Sequence, residues 1–201
     1  MNNILGIEMK KKIITQQEFN GIVANICRSI EQSGWRPDYI VGISRGGLTP
    51  AVMISQYLNI PMHTIGISLR DQLNCESNLW MAEDAFGYVP TEDRQDVHFE
   101  VTHIPASVDI SDSQKRKNIL IVDDINDSGA TLNWLINDWQ TSCFKESLVW
   151  NNVWNNNVKF AVIVDNLSSQ FLREIDFSGM EINKAENNVW IDFPWENWWA
   201  K

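Results

Sequence analysis

The clearest hydrophobic pattern in the chain is an uninterrupted run of four apolar residues at 119–122, three of them β-branched. Such a run is typical of a strand buried on both faces, as in a parallel sheet covered by helices. After a polar stretch, apolar residues recur at helical spacing, at Leu132, Leu135, Ile136 and Trp139. The pattern therefore predicts a buried strand, a polar turn and a helix that begins near Gly129.

Similar patterns predict further elements on both sides of this unit. Thr15 and Glu18 have the spacing of a capping box at the start of a helix. Helices are predicted at 15–34 and 48–58, strands at 38–43, 61–68 and 160–164, an edge strand at 97–102 and a turn-rich connector at the Asn-rich segment 151–157. The expected fold class is α/β, with a central parallel sheet flanked by helices.

The length of 201 residues, 44% of them hydrophobic, suits one well-buried core. We expect a core domain at 1–166 and a small C-terminal segment at 167–201. The core carries an acidic insertion at about 71–96, where seven acids stand against the single base Arg94. A solvated surface excursion is the simplest interpretation of that insertion.

Charge and cysteine content exclude several classes of protein. The formal net charge of −10 argues against nucleic-acid binding through a basic surface. No apolar run approaches membrane-spanning length, so no membrane partner is expected. Three cysteines without CxxC spacing indicate neither a disulfide framework nor a zinc site. A reducing, cytoplasmic location is predicted.

The polar turn after the central strand carries the first candidate chemistry. Its residues are Asp123, Asp124, Asp127, Ser128, Gly129, Ala130 and Thr131, with Ile125 and Asn126 between the acids. A helix N-terminus offers unpaired backbone N–H groups, and hydroxyls add donors beside a glycine that lets a ligand approach. The sequence therefore predicts a phosphate cradle with carboxylates next to it. The alternative is a simple helix cap with solvated acids.

A second candidate site follows the strand at 38–43 and consists of Ser44, Arg45, Gly46 and Gly47. Two glycines allow backbone amides to face an anion, and an arginine adds a planar, permanently charged donor. A purely structural turn explains the two glycines equally well. A Walker A loop is excluded because Leu48 stands where its lysine would be.

Together these two segments resemble the type I phosphoribosyltransferases, closest to their xanthine-guanine and hypoxanthine branch. The resemblance implies transfer of 5-phosphoribosyl from phosphoribosyl pyrophosphate (PRPP) to a purine-type base, with Mg²⁺ as cofactor. Residues 123, 124 and 127–131 would bind PRPP, Asp123 and Asp124 could also hold Mg²⁺, and Asp127 would be the general base. Residues 44–47 would hold pyrophosphate. In this branch the peptide bond at the position of Ser44–Arg45 is often cis.

The same resemblance assigns base recognition to the C-terminal segment 167–201, which we call the hood. Trp190 would stack on the purine, and the backbone near Ile191 and Asp192 would meet its edge. Glu196 is a candidate ligand of a second Mg²⁺. Many relatives place a lysine after the last core strand to hold the 6-oxo group. The matching residue here is Asn166, whose amide can donate the same hydrogen bond.

Other points stay open on the sequence. The resemblance places a lid over PRPP in the acidic insertion, beginning near Ser68, and implies a homo-oligomer, a dimer or a tetramer. Trp198 and Trp199 suit either a core or a subunit contact. Three alternatives to a purine enzyme remain: a regulatory PRPP sensor, a transferase for a pyrimidine base, and an unrelated phosphate-binding module.

Overall fold

We describe the protein from a computed structural model that covers residues 10–69, 74–75, 78–87, 116–145, 147–196 and 198–199. A six-stranded sheet has the spatial order β4-β3-β2-β5-β6-β7. Its strands are β2 (Tyr39–Ser44), β3 (Met62–Ser68), β4 (Asn74–Cys75), β5 (Ile119–Asn126), β6 (Val158–Asn166) and β7 (Phe177–Ile182). All neighbouring pairs are parallel except β3 and β4. The predicted α/β class is confirmed.

Helices cover both faces of this sheet. They are α1 (Gln16–Gln32), α2 (Leu48–Leu58), α3 (Leu79–Phe86), α4 (Ala130–Ser142) and the short α5 (Val149–Asn152), which runs into a π-helix at Val153–Asn157. One buried cluster includes α3, α4 and the π-helix, and the other includes α1 and α2. The first four residues of β5, all apolar, are divided between the two clusters. Ile119 and Ile121 belong to one, and Leu120 and Val122 belong to the other. This explains the uninterrupted apolar run.

The first helix forms where the capping box predicted it. Thr15 accepts a hydrogen bond from the Glu18 backbone, and the Glu18 carboxylate accepts one from the Thr15 backbone. Phe19, Val23 and Ile26 lie buried along one face of α1. These contacts pack α1 against β7 and β6 on the sheet.

The register of the parallel strands brings their carboxyl ends together at one edge. Gly42 of β2 pairs with Val122 of β5, and Asp123 pairs with Val162 of β6. The residues that follow these pairs, 43–47 and 124–131, therefore meet at the same end of the sheet. This edge is where ligands bind in open parallel sheets.

A separate two-stranded parallel pair joins β1 (Lys10–Ile13) to β8 (Val189–Asp192). Ile14 extends it by donating its N–H to the carbonyl of Asp192. The N-terminal strand thereby fixes the strand that carries Trp190. The boundary predicted after residue 166 is crossed by the main sheet, since β7 lies within the hood.

Two local predictions are wrong. The segment 151–157 is helical rather than turn-rich, because burial of Val153 and Trp154 outweighs the turn preference of its asparagines. The acidic insertion is also not simply a solvated surface excursion, because it contains the helix α3. The buried residues of α3 are Met81, Ala82, Ala85 and Phe86. The predicted edge strand at 97–102 lies outside the described residues, as does most of the predicted lid. Within the described chain, no helix is long and apolar enough to cross a membrane.

Candidate active site

A cavity of about 1040 Å³ opens at the carboxyl edge of the sheet. It is lined by the ends of β2, β3 and β5, by the turn before α4, and by parts of the hood. Side chains of both charge signs line it. The acids are Asp123, Asp124, Asp127 and Glu196, and the bases are Arg45 and Lys184. The fold thus brings the two predicted anion sites into a single cavity.

The turn from β5 into α4 forms one wall, and every residue predicted there, from Asp123 to Thr131, lines the cavity or its edge. Gly129 takes a positive φ of 82°, which starts the helix directly after the acids. The loop after β6 holds the turn from behind: Asn166 donates to the carbonyl of Asp127 at 2.8 Å, and Gln170 donates to that of Ser128 at 3.1 Å. These bonds fix the conformation of the turn.

The first two acids of the turn lie side by side at the end of β5. Asp123 is buried, and its carboxylate accepts a hydrogen bond from the N–H of Asp124 at 2.9 Å. Burial raises the pKa of Asp123 well above its ordinary value, and the charge of Asp124 raises it further. Two adjacent carboxylates of this kind favour a bound cation or hydroxyl groups that donate to them.

The loop after β2 faces these acids. Ser44, Arg45 and Gly46 line the cavity, and the Ser44–Arg45 peptide is cis. Gly46 lies against the Asp124 carboxylate, where no β-carbon would fit. Gly47 is buried behind the loop against the backbone of β5 and begins α2, so it supports the loop without lining the cavity.

The hood supplies the opposite wall. Trp190, Ile191 and Glu196 line the cavity, as do Phe193, Trp195 and Trp199, which the sequence analysis did not assign to the site. Asp192 does not line it; its carbonyl accepts from Ile14 in the β1–β8 pair. Burial raises the pKa of Glu196, and the charge of Asp124 across the cavity raises it as well.

The residues at the ends of β6 and β7 differ from the prediction. Asn166 is buried and does not line the cavity, so it is not placed to meet a base. Lys184 lines it instead, with its Nζ 2.8 Å from Oδ1 of Asp127. The sequence contained a signal for this residue, since Lys184 is one of only two basic residues between Asn166 and Trp190.

No cluster of three or more histidine, cysteine, aspartate or glutamate side chains that could hold a metal ion occurs among the described residues. Asp123 and Asp124 could hold a metal ion together with oxygens of a ligand. That arrangement is the common one for Mg²⁺ bound with substrate phosphates.

The family profile of the phosphoribosyl transferase domain matches residues 10–197. The chain belongs to this family. Two fungal relatives are similar over most of their length. Xanthine phosphoribosyltransferase 1 of Saccharomyces cerevisiae is 23% identical over 94% of this chain and 91% of its own. Hypoxanthine-guanine phosphoribosyltransferase of Schizosaccharomyces pombe is 27% identical over 81% of this chain and 78% of its own.

Solved structures of family members share the fold. The purine phosphoribosyltransferase from Pyrococcus horikoshii superposes with a TM-score of 0.56 at 22% identity, over 94% of this chain and 96% of that one. The xanthine-guanine-hypoxanthine phosphoribosyltransferase of Helicobacter pylori gives a TM-score of 0.56 at 16% identity, over 96% of both chains. Because both sequence identities are below 25%, these structures bear on the fold alone, and they confirm the type I fold.

Proposed function

We propose that this phosphoribosyltransferase moves the 5-phosphoribosyl group of PRPP to a purine base and releases pyrophosphate. The observation that carries the proposal is the meeting of the two loops predicted to bind anions, an acidic pair and the ring of Trp190 in one cavity. Both fungal relatives are named for purine bases, which favours a purine over a pyrimidine acceptor.

The turn before α4 suits the 5-phosphate of PRPP. Residues 127–131 line the cavity at the start of a thirteen-residue helix, where the helix dipole favours an anion. The hydroxyls of Ser128 and Thr131 supply further donors. Ser44, Arg45 and Gly46 face the same space from β2 and suit the departing pyrophosphate, with the guanidinium neutralising part of its charge.

Asp123 and Asp124 suit the ribose between these two phosphate sites. Their paired carboxylates can accept hydrogen bonds from the two ribose hydroxyls or hold Mg²⁺. A cation bound there would offset both the burial of Asp123 and its repulsion by Asp124, the two causes that raise the pKa of Asp123. When bound, Mg²⁺ would neutralise charge on the pyrophosphate. Glu196 lies close enough to interact with the charge of Asp124 and is a candidate ligand of a second ion.

The reaction exchanges one bond at the anomeric carbon of the ribose. The bond to the pyrophosphate oxygen breaks as a bond to a ring nitrogen of the base forms, and the base loses the proton of its imidazole N–H. We assign Asp127 as the general base that accepts this proton, since it lines the cavity at the start of the turn before α4. Trp190, which is 36% exposed, would stack on the purine and orient it.

The deciding experiment incubates the protein with PRPP and Mg²⁺ and, separately, hypoxanthine, guanine, xanthine, adenine or uracil. Formation of a purine nucleotide with an equal amount of pyrophosphate is the expected result. Binding of PRPP without turnover of any base would instead favour a sensor, and turnover of uracil alone would assign a pyrimidine acceptor. Failure to bind PRPP by calorimetry would remove the function altogether.

A further inference from the structure

Lys184 places an ammonium group in the cavity from the connection between β7 and β8. Its Nζ lies 2.8 Å from Oδ1 of Asp127, and the two side chains are 16% and 30% exposed. The same cavity is lined by Trp190, six residues further along the chain. The general base proposed above therefore has a partly buried cation as its neighbour, in the cavity that Trp190 also lines.

The side chain of Asn166 fixes both members of this pair. Its Nδ2 donates to the carbonyl of Asp127 at 2.8 Å, and its Oδ1 accepts from the backbone N–H of Lys184 at 3.0 Å. Oδ1 also accepts from the hydroxyl of Ser168 at 2.9 Å. The amide is thus occupied on both sides and only 5% exposed, which leaves it with a positioning role.

We propose that Lys184 is the specificity-determining residue for the acceptor and selects a purine with an oxygen at carbon 6. This inference rests on the function proposed above and names the group that reads the base. Asn166 is the positioning residue that holds the Lys184 connection and the Asp127 turn together. Recognition thus comes from the β7–β8 connection rather than from the end of β6.

The argument follows from the order of donors and acceptors that the pair presents. An ammonium beside a carboxylate is a donor next to an acceptor, so its complement on a ligand is an acceptor next to a donor. A 6-oxopurine carries this complement, with its carbonyl oxygen adjacent to the N–H of the five-membered ring. A 6-amino group would direct N–H donors at the ammonium, and a site built for one pattern rejects the other.

The pair also accounts for the base step in the proposed reaction. In the structure the Lys184 ammonium forms an ion pair with the Asp127 carboxylate. A purine carbonyl oxygen offers the ammonium a second acceptor, since an ammonium has three donors. The carboxylate then faces the adjacent ring N–H and accepts its proton as the ring nitrogen attacks the ribose.

Lys184→Met tests the proposal, because it removes the charge and keeps most of the side-chain volume. With hypoxanthine we expect kcat/KM to fall by roughly ten- to a hundredfold, the factor that one hydrogen bond to a charged group is worth. The ratio of kcat/KM for hypoxanthine over adenine should fall with it. Binding of PRPP with Mg²⁺, measured by calorimetry, should stay close to that of the parent protein.

Lys159→Met is a matched control. Lys159 forms an ion pair with Asp176 at 2.9 Å, and these side chains are 21% and 25% exposed, close to the values for Lys184 and Asp127. Neither Lys159 nor Asp176 lines the cavity. The control variant should therefore keep the kcat/KM and the base preference of the parent protein.

A double-mutant cycle tests the role of Asn166. If Asn166 acts through the Lys184 connection and the Asp127 turn, the losses in kcat/KM from Asn166→Ala and Lys184→Met will not add in the double variant. Additive losses would assign Asn166 an independent contact. Should Asn166→Ala fail to fold in a thermal unfolding assay, the Lys184→Met kinetics decide the proposal alone.

The outcomes separate this inference from the function on which it rests. If the parent protein turns over hypoxanthine and Lys184→Met does so equally well, Lys184 has no role in specificity and only the inference fails. Equal losses for hypoxanthine and adenine would also overturn it. If the parent protein turns over no base at all, the proposed function itself fails.

Discussion

Gly129 lies so close to Phe171 that a β-carbon at position 129 would overlap the Phe171 backbone nitrogen. The contact joins the turn before α4 to the loop after β6. Gly129 also has a φ of 82°, where a side chain is strained by about 1–2 kcal/mol. Two independent physical reasons therefore require glycine at this position.

We expect Gly129→Ala to lower the free energy of unfolding by at least about 3 kcal/mol, since strain and overlap add. Gly34→Ala is the control, because Gly34 has a φ of 71° with nothing within 4 Å of an added β-carbon. That variant should lose only about 1–2 kcal/mol. Urea unfolding of both variants measures the difference, and equal losses would show that the Phe171 contact costs nothing.

Gly46 brings the loop after β2 against the carboxylate of Asp124. In Gly46→Ala the new methyl group would displace that carboxylate from its place beside Asp123. We expect the dissociation constant for PRPP with Mg²⁺ to rise at least about tenfold, the loss of one charge-assisted contact. Calorimetric titration of PRPP in the presence of Mg²⁺ measures it.

Gly21→Ala serves as the control for this prediction. Gly21 lies on α1, and nothing lies within 4 Å of an added β-carbon. Alanine there should stabilise the helix by up to about 1 kcal/mol and leave PRPP binding unchanged. If the dissociation constant is unchanged in Gly46→Ala as well, the position of the Asp124 carboxylate does not matter for binding of PRPP with Mg²⁺.

Much of the fold could be predicted because its signals are local. The apolar run of β5, the capping box at Thr15 and the helical period of α4 each fix one element without reference to the rest of the chain. Asp123 and Asp124 follow the apolar run directly and therefore lie at the end of β5. The parallel register of β2 and β5 places Ser44 at the same carboxyl edge of the sheet. The meeting of the two predicted loops in one cavity follows from these facts.

The positions of Asn166 and Lys184 could not be predicted in the same way. Asn166 was assigned to the base because it matches the position of a lysine in the resembling family, but its side chain lies in a network that only the packed loops create. Lys184 enters the cavity because β7 extends the sheet and returns its following connection to that edge. Tertiary burial likewise made the 151–157 segment helical against its local preference.

The cysteines allow a test of core packing. Burial raises the pKa of the Cys27 thiol to about 11 and that of Cys143 to about 12. The thiolate is the reactive form, and at pH 8 a thiol with a pKa of about 11 is ionised in roughly one molecule in a thousand. We therefore expect Cys27 and Cys143 to resist iodoacetamide in the native protein.

Cys75 is half-buried and provides the internal comparison. Mass spectrometry of the native protein after alkylation at pH 8 should find modification at Cys75 before either of the other two. After unfolding in guanidinium chloride all three should react at similar rates. Rapid native labelling of Cys27 would contradict the packing of α1 against the sheet.

Asp127 is the residue on which turnover should depend most. Asp127→Asn keeps the shape of the side chain and can still accept from Lys184, but an amide cannot take the proton of the base. We expect kcat to fall at least about a hundredfold, while the dissociation constant for PRPP with Mg²⁺ changes little. Asp138→Asn, on α4 and outside the cavity lining, is the matched control and should retain full turnover. Unchanged kcat in Asp127→Asn would remove its role as general base.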